Sequence, residues 1–225
     1  MKIAALFSGG KDSTFALYNA IRQGHKIRYL VTIFPERQDS WMFHHPCIEL
    51  TKLQSEALGI RQIIEKTKGE KEKELEDLKK ALEKIKDKIE GVVSGAIASR
   101  YQKNRIDKVC KELKLKSITP LWNKNPEELF EEEIKSGFEI IITAVSAAGL
   151  DENWLGKKID LESIKELKDL SKKFGFNLVF EGGEAETIVL NSPIFKKKID
   201  FHDSEKIWDS KTNSGYLIIK NARLI

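Results

Sequence analysis

Six residues near the start, Ser8-Gly9-Gly10-Lys11-Asp12-Ser13, stand directly after the apolar run Ile3-Ala4-Ala5-Leu6-Phe7 and directly before Thr14-Phe15-Ala16-Leu17-Tyr18-Asn19-Ala20-Ile21. The first run reads as a buried strand and the second as a helix. Paired glycines at such a junction allow a sharp turn and let backbone N–H groups approach an anion, with the positive end of the helix behind them. Lys11 adds a point charge, and the Ser8 and Ser13 hydroxyls add donors. Together Ser8, Gly9, Gly10, Lys11, Asp12 and Ser13 describe a phosphate cradle for a nucleotide, with Asp12 as the loop's candidate for positioning a metal ion or a nucleophile. A second constellation, Glu181-Gly182-Gly183-Glu184-Ala185-Glu186-Thr187, lies between two apolar runs, Phe176–Phe180 and Thr187–Leu190. In extended chain, Glu184 and Glu186 would share one face. Such a pair can steer a cation, hold Mg²⁺ through water, or accept a proton from an amine nucleophile, and the plain alternative is an acidic hairpin turn in solvent.

Spacing excludes two familiar nucleotide sites. The sequence contains no G-x-x-x-x-G-K-[ST] loop and no G-x-G-x-x-G after its first strand, which argues against a Walker-type NTPase and against a dinucleotide oxidoreductase. With 39 basic and 35 acidic residues, the net charge of +4 describes a mixed surface. Bulk charge therefore gives no support for nucleic-acid binding. Cys47 and Cys110 are far apart and form no metal-ligand spacing, so they read as ordinary reduced thiols. No signal peptide and no membrane span is evident, which points to a cytoplasmic enzyme. The abundance of Lys and Glu suggests a heat-adapted source.

The elements that must position these residues follow an alternating pattern. Ile27–Phe34 reads as a second strand joined to the first by the helix after Ser13, a right-handed β-α-β unit with a parallel pair. Ligands in such sheets lie beyond the carboxyl ends of the strands, so main-chain groups of Thr32 to Phe34 are candidates to read an adenine edge. Between Lys66 and Glu90 the chain carries 17 charged residues in 25, with Leu75, Leu78, Leu82, Ile85 and Ile89 in one stripe. That pattern predicts a docked amphipathic helix whose charges form its solvated face. A short strand Gly91–Gly95, a helix from Arg100, a strand within Lys116–Leu121, a helix Pro126–Ser136, a strand Glu139–Val145, a helix Leu161–Phe174 and the run Phe176–Phe180 complete the expectation, followed by short β-like runs at Thr187–Leu190, Lys206–Trp208 and Tyr216–Ile219. Turn chemistry at Pro120–Asn123 and Asn125-Pro126 marks a boundary. The reading is an α/β protein, with a parallel-sheet nucleotide-binding domain over residues 1–122 and a smaller α+β substrate domain over 123–225.

The Ser8–Ser13 string resembles the PP-loop of ATP pyrophosphatases. Taken with Trp41-Met42-Phe43-His44, Tyr101-Gln102-Lys103-Asn104-Arg105, Pro120-Leu121-Trp122 and Glu181–Thr187, the chain from Met1 to about Phe195 resembles the diphthine-ammonia ligase family of archaea and eukaryotes. Ala185 departs from the aromatic residue expected there, which bears on packing at the turn. The resemblance implies ATP as cofactor with Mg²⁺ carried on its phosphates and Asp12 within its reach, translation elongation factor 2 as protein substrate, and ammonium as nitrogen donor. It also implies adenylation of the diphthine carboxylate, with ammonia then displacing AMP; pyrophosphate is released in the first step. Asp12, Glu184 and Glu186 become the catalytic candidates. Trp41, Phe43, His44, Tyr101, Asn104, Trp122, Glu181, Gly182 and Gly183 become the substrate-binding ones. Trp41, Phe43, Tyr101, Trp122 and Trp154 are candidates to cage diphthine's trimethylammonium group. His44 and His45 point in different directions as chain neighbours and suit a substrate contact better than a shared metal. Two rivals remain open at this point, a PP-loop tRNA-modifying enzyme and a nucleotide-binding module without turnover. The first would favour cysteine pairs and a basic stripe, both absent.

Overall fold

The computed structural model describes residues 1–35, 47–68 and 73–225. Five strands, β1 (Lys2–Leu6), β2 (Lys26–Pro35), β3 (Gln62–Thr67), β4 (Gly91–Val93) and β5 (Lys116–Ile118), form one sheet in the order β3-β2-β1-β4-β5. Every pairing in it is parallel. Helices α1 (Lys11–Arg22), α2 (Thr51–Leu58), α3 (Lys73–Glu83) and α4 (Arg100–Glu112) make the crossovers. The chain winds outward through β2 and β3 and then returns to the other side of β1. The sheet's direction of winding thus reverses between β1 and β4, where the loops after these two strands face one crevice.

Local chemistry explains the helix boundaries. Ser99 caps α4 by accepting from the Gln102 N–H. Asn125 caps α5 (Pro126–Lys135), which opens on proline. Asp160 and Ser163 form a reciprocal capping box on α6 (Leu161–Phe174), which Gly175 ends at φ +78°. The charge-rich segment behaves as its stripe predicts: Leu78, Leu82, Ile85 and Ile89 are buried. Its α-helix spans only Lys73–Glu83, and a 3₁₀ turn at Lys86–Lys88 carries the rest.

The second sheet is antiparallel, in the order β7-β6-β9-β8, built from β6 (Glu139–Val145), β7 (Ala185–Asn191), β8 (Ile199–Asp209) and β9 (Ser214–Leu224). The short runs expected near Lys206 and Tyr216 belong to one long hairpin of 11-residue strands. The apolar run Phe176–Phe180 forms no strand. Asn177 captures it as a turn, its side chain accepting from Val179 N–H and its carbonyl from Phe180 N–H, and Phe180 sits at φ +64°. The apolar run is real but serves as a buried loop: the Phe180 ring meets Phe130 edge-on at 5.9 Å between centroids.

One core runs through both sheets. Ile3, Ala5, Phe15 and Leu30 from the first side join Leu129, Phe138, Ile140, Ile142 and Val189 from the second. Phe138 lies edge-on to Phe15 and Tyr18, with centroids at 5.3 and 5.6 Å. The expected outcome is a single cooperative unfolding transition, coincident by far-UV circular dichroism and tryptophan fluorescence. Phe138→Ala should lower its free energy by about 3–5 kcal/mol. Two separated transitions in the wild-type protein would show that the sheets do not share their stability.

Candidate active site at the junction of the two sheets

The loop after β1 is closed upon itself. Ser8 donates from its N–H and its hydroxyl to Ser13 Oγ, at 3.3 and 3.1 Å, while the Ser13 and Thr14 hydroxyls donate to the Gly10 carbonyl. Gly9 is glycine for two reasons. Its φ is +81°, and a Cβ would lie 2.2 Å from Gln54 Oε1. Gly10 enters α1 as an extended N-cap without a side-chain cap of its own, at the positive end of the helix. From the opposite side the loop after β4 presses in: a Cβ on Gly95 would lie 2.7 Å from the Asp12 carbonyl carbon.

The second sheet completes the cradle. Val189 N–H donates to the Gly9 carbonyl at 3.0 Å, and Lys11 N–H donates to Thr187 Oγ1 at 3.2 Å. The buried Gln54 amide donates to the carbonyls of Gly9 and Val189, at 2.8 and 2.7 Å. A pocket results, lined among others by Ser8, Lys11, Asp12, Phe180, Glu186 and Thr187. The phosphate loop and the acidic turn therefore share one cavity.

Within it sits a buried charge cluster. Lys11 is 1% exposed. Its ammonium pairs with Asp12 Oδ1 at 2.5 Å and lies 5.0 Å from the centre of the Phe130 ring. Burial works against the charged lysine, but Asp12, Glu133 and Glu181 outweigh it and hold the ammonium above its ordinary pKa. Burial pushes Glu186 from the ordinary 4.5 up to about 8; Asp12 adds to the shift and Lys11 opposes it. Glu133 on α5 is raised to about 8 for the same first reason. Below about pH 8 Glu186 is therefore mostly neutral, and above it a carboxylate poised to take a proton.

The three glutamates of the turn have separate roles. Glu181 accepts from the N–H groups of Ile97, Ala98 and Ser99 at 2.8–2.9 Å, clamping the turn to the start of α4. Glu184 accepts from Asn177 and Gly182 N–H groups at 3.0 and 2.8 Å. The expectation that Glu184 and Glu186 share one face of extended chain is corrected: β7 begins only at Ala185, after Gly183 at φ +83°. Gly183 gives its carbonyl to the Ser146 hydroxyl at 2.6 Å. Of the turn's carboxylates, Glu186 is the one that lines the pocket.

Other expected contacts fall at the rim. Thr32 is buried, donating to the Phe7 carbonyl and accepting from Gln62. The β1–β2 register ends at Leu6↔Val31, so Thr32 to Phe34 continue past the end of β1 toward the nucleotide side of the sheet. Tyr101 is exposed in the first turn of α4 with Arg105 over its ring at 4.4 Å; Trp122 carries Lys103 at 5.4 Å. Asn104 is exposed on the same helix. Trp154 is 4% exposed and belongs to the main core, which removes it from the aromatic rim. Trp41, Phe43, His44 and His45 lie outside the described residues. Sequence reasoning missed Gln54 and Glu133. Glu133 had a signal, because it continues the Leu129-Phe130 stripe at helical spacing. Gln54 had none beyond a polar residue on a buried helix face.

The sequence matches the family described as diphthamide synthase N-terminal domain over residues 1–117 and its C-terminal counterpart over residues 125–225. It is 38% identical to human diphthine-ammonia ligase over 92% of this chain and 85% of that protein. Identity to the zebrafish (Danio rerio) enzyme of the same name is 34%, over 92% and 89%. The fission yeast (Schizosaccharomyces pombe) enzyme is 35% identical over 98% of this chain, which spans 39% of that longer protein. A solved structure from Methanocaldococcus jannaschii described as a predicted subunit of tRNA methyltransferase aligns with a TM-score of 0.49 at 17% identity, covering 86% of this chain and 98% of that one.

A neutral glutamic acid in the fold is replaced by glutamine with little change of shape, and this gives a sign to test. Because the folded-state pKa of Glu186 lies above 4.5, the folded protein binds the extra proton and wild-type stability falls as pH rises from about 4.5 through about 8. Glu186→Gln should thus be more stable than wild type by on the order of 2–4 kcal/mol at pH 8, with the gain vanishing below pH 5. Denaturant titrations at the two pH values measure it, and equal stability of the two proteins at pH 8 would show that Glu186 is not desolvated.

Proposed function

The chain belongs to the diphthine-ammonia ligase family, and from that premise we infer that it amidates diphthine to diphthamide on translation elongation factor 2, consuming ATP. The observation that carries the reading is the fusion of the phosphate loop with the acidic turn, through the Lys11 N–H bond to Thr187 and Glu186 beside Lys11 and Asp12. Adenylation requires an attacking carboxylate held near the α-phosphate and charge neutralised on the departing pyrophosphate. Backbone donors at Ser8–Ser13 and the Lys11 ammonium suit the second task. When bound, Mg²⁺ would supply further neutralisation. Among the described residues no three His, Cys, Asp or Glu side chains are grouped to hold a metal, and Asp12 is engaged by Lys11, which suits an ion carried by the phosphates themselves.

In this reading residues 1–122 hold the nucleotide and residues 123–225 present the acceptor. Ammonia attacks as NH₃. Glu186, ionised, takes the proton that ammonium or the tetrahedral adduct must lose. Glu181 and Glu184 shape the turn, with Gly182 and Gly183, so that Glu186 faces the pocket. Tyr101 and Asn104 on α4, with Trp122 from the turn after β5, offer a rim for diphthine, where aromatic faces attract its trimethylammonium group. Free ammonium is the donor that suits this chain: Cys110 is buried, and burial raises both Cys47 and Cys110 thiols to about 11, far from a glutaminase nucleophile. Among the described residues no helix is long and apolar enough to cross a membrane. A translation-factor substrate places the reaction in the cytoplasm.

Incubation with ATP, ammonium and diphthine-bearing elongation factor 2 should yield AMP and pyrophosphate with diphthamide on the factor, without glutamine. Mass analysis of the modified histidine and product chromatography check it, and ADP with orthophosphate would place the enzyme in another reaction class. Glu186→Gln should bind ATP as wild type does and lose amidation by about 10²–10⁴-fold. Retained turnover in that variant would move the base elsewhere.

A further inference from the structure

Glu133 lies one helical turn beyond Phe130 on α5, so its carboxyl shares the helix face on which the Lys11 ammonium rests. It is 0% exposed, and neither of its oxygens has a hydrogen-bond donor. A buried carboxyl without a donor is costly, and a fold tolerates it where a neighbouring charge compensates. The groups acting on it are Lys11 and Asp12 from α1 and Glu132 from its own helix; Glu181 and Glu186 act on the same Lys11-Asp12 pair from the facing turn and strand. In its neutral form Glu133 can donate to Asp12, which leaves Asp12 satisfied when Lys11 turns toward a phosphate.

We infer that Glu133 is a positioning residue of the nucleotide site, acting through Lys11: Asp12, the Phe130 ring and Glu133 form a buried cage that sets where the ammonium stands at the pocket wall. The inference rests on the reading of the Ser8–Ser13 loop as an ATP-phosphate site. Glutamine can replace the neutral acid in shape and donate to Asp12, whereas methionine matches the volume and can do neither.

Isothermal titration with ATP, supported by thermal melts, tests this on the full chain. Wild type and Glu133→Gln should bind within about threefold of one another, and Glu133→Met should bind at least roughly tenfold more weakly while remaining folded. In a Lys11→Met background, adding Glu133→Met should change ATP affinity no further. Folded Glu133→Met binding ATP like wild type overturns the inference, and so does a loss that recurs undiminished in the Lys11→Met background. If Glu133→Met does not fold, Glu133→Asp, which withdraws the carboxyl by one methylene, takes its place: weakened binding supports the cage and unchanged binding overturns it. Failure of wild type to bind ATP would remove the nucleotide reading and this inference together, whereas wild-type binding with indifferent Glu133 variants removes only the latter.

Discussion

An ammonium group buried to 1% exposure is the constraint around which this molecule is arranged. Unpaired, such a charge would shed its proton or hold the fold open. Its compensation comes from several elements at once: Asp12 on its own helix, Glu133 and Phe130 on α5, and Glu181 from the turn before β7. None of the latter two elements belongs to the parallel sheet. The phosphate loop is therefore not a self-sufficient motif in this chain. It is complete only when α5 and the acidic turn are packed against it, which explains why the core passes without interruption from Phe15 to Phe138.

That packing is fixed by polar contacts as much as by apolar ones. Gln54, from the crossover between β2 and β3, holds the Gly9 and Val189 carbonyls together, and Val189 in turn donates to Gly9. Edge strand β7 thus uses part of its open edge on the phosphate loop. A displacement of the loop by an incoming phosphate would be felt through Gly9 at Val189 and through Lys11 at Thr187, three and one strand positions from Glu186. Energetic linkage between nucleotide and acceptor has a short covalent and hydrogen-bonded route here, without any hinge.

Much of this was legible in the residues, and the parts that were not share a cause. Apolar runs alternating with helical segments disclosed the parallel sheet, because a parallel strand is buried on both faces and reads as a continuous apolar stretch. At Phe176–Phe180 burial of a loop leaves a similar apolar trace, and the Asn177 turn decides between loop and strand. The phosphate loop was visible because glycine and lysine are needed by chemistry at fixed positions. Gln54 and Glu133 were hidden because their importance comes from what they face across the fold. Glu133 follows Glu131 and Glu132, and only its place on the Leu129-Phe130 stripe distinguishes it from its solvated neighbours.

The turn Glu181–Thr187 shows how backbone donors divide labour among identical side chains. Glu181 is held by three amide groups and Glu184 by two, so rotating either carboxylate breaks several bonds and loosens the turn. Neither is free to follow a reacting group. Glu186, one residue into β7, lines instead the cavity that Lys11 and Asp12 also line, where burial makes its charge expensive until a cation or an accepted proton compensates it. A carboxylate that must change its protonation during a reaction needs that conditional stability, and one that must hold a loop needs the opposite. The spacing of three glutamates around two glycines supplies both kinds within seven residues.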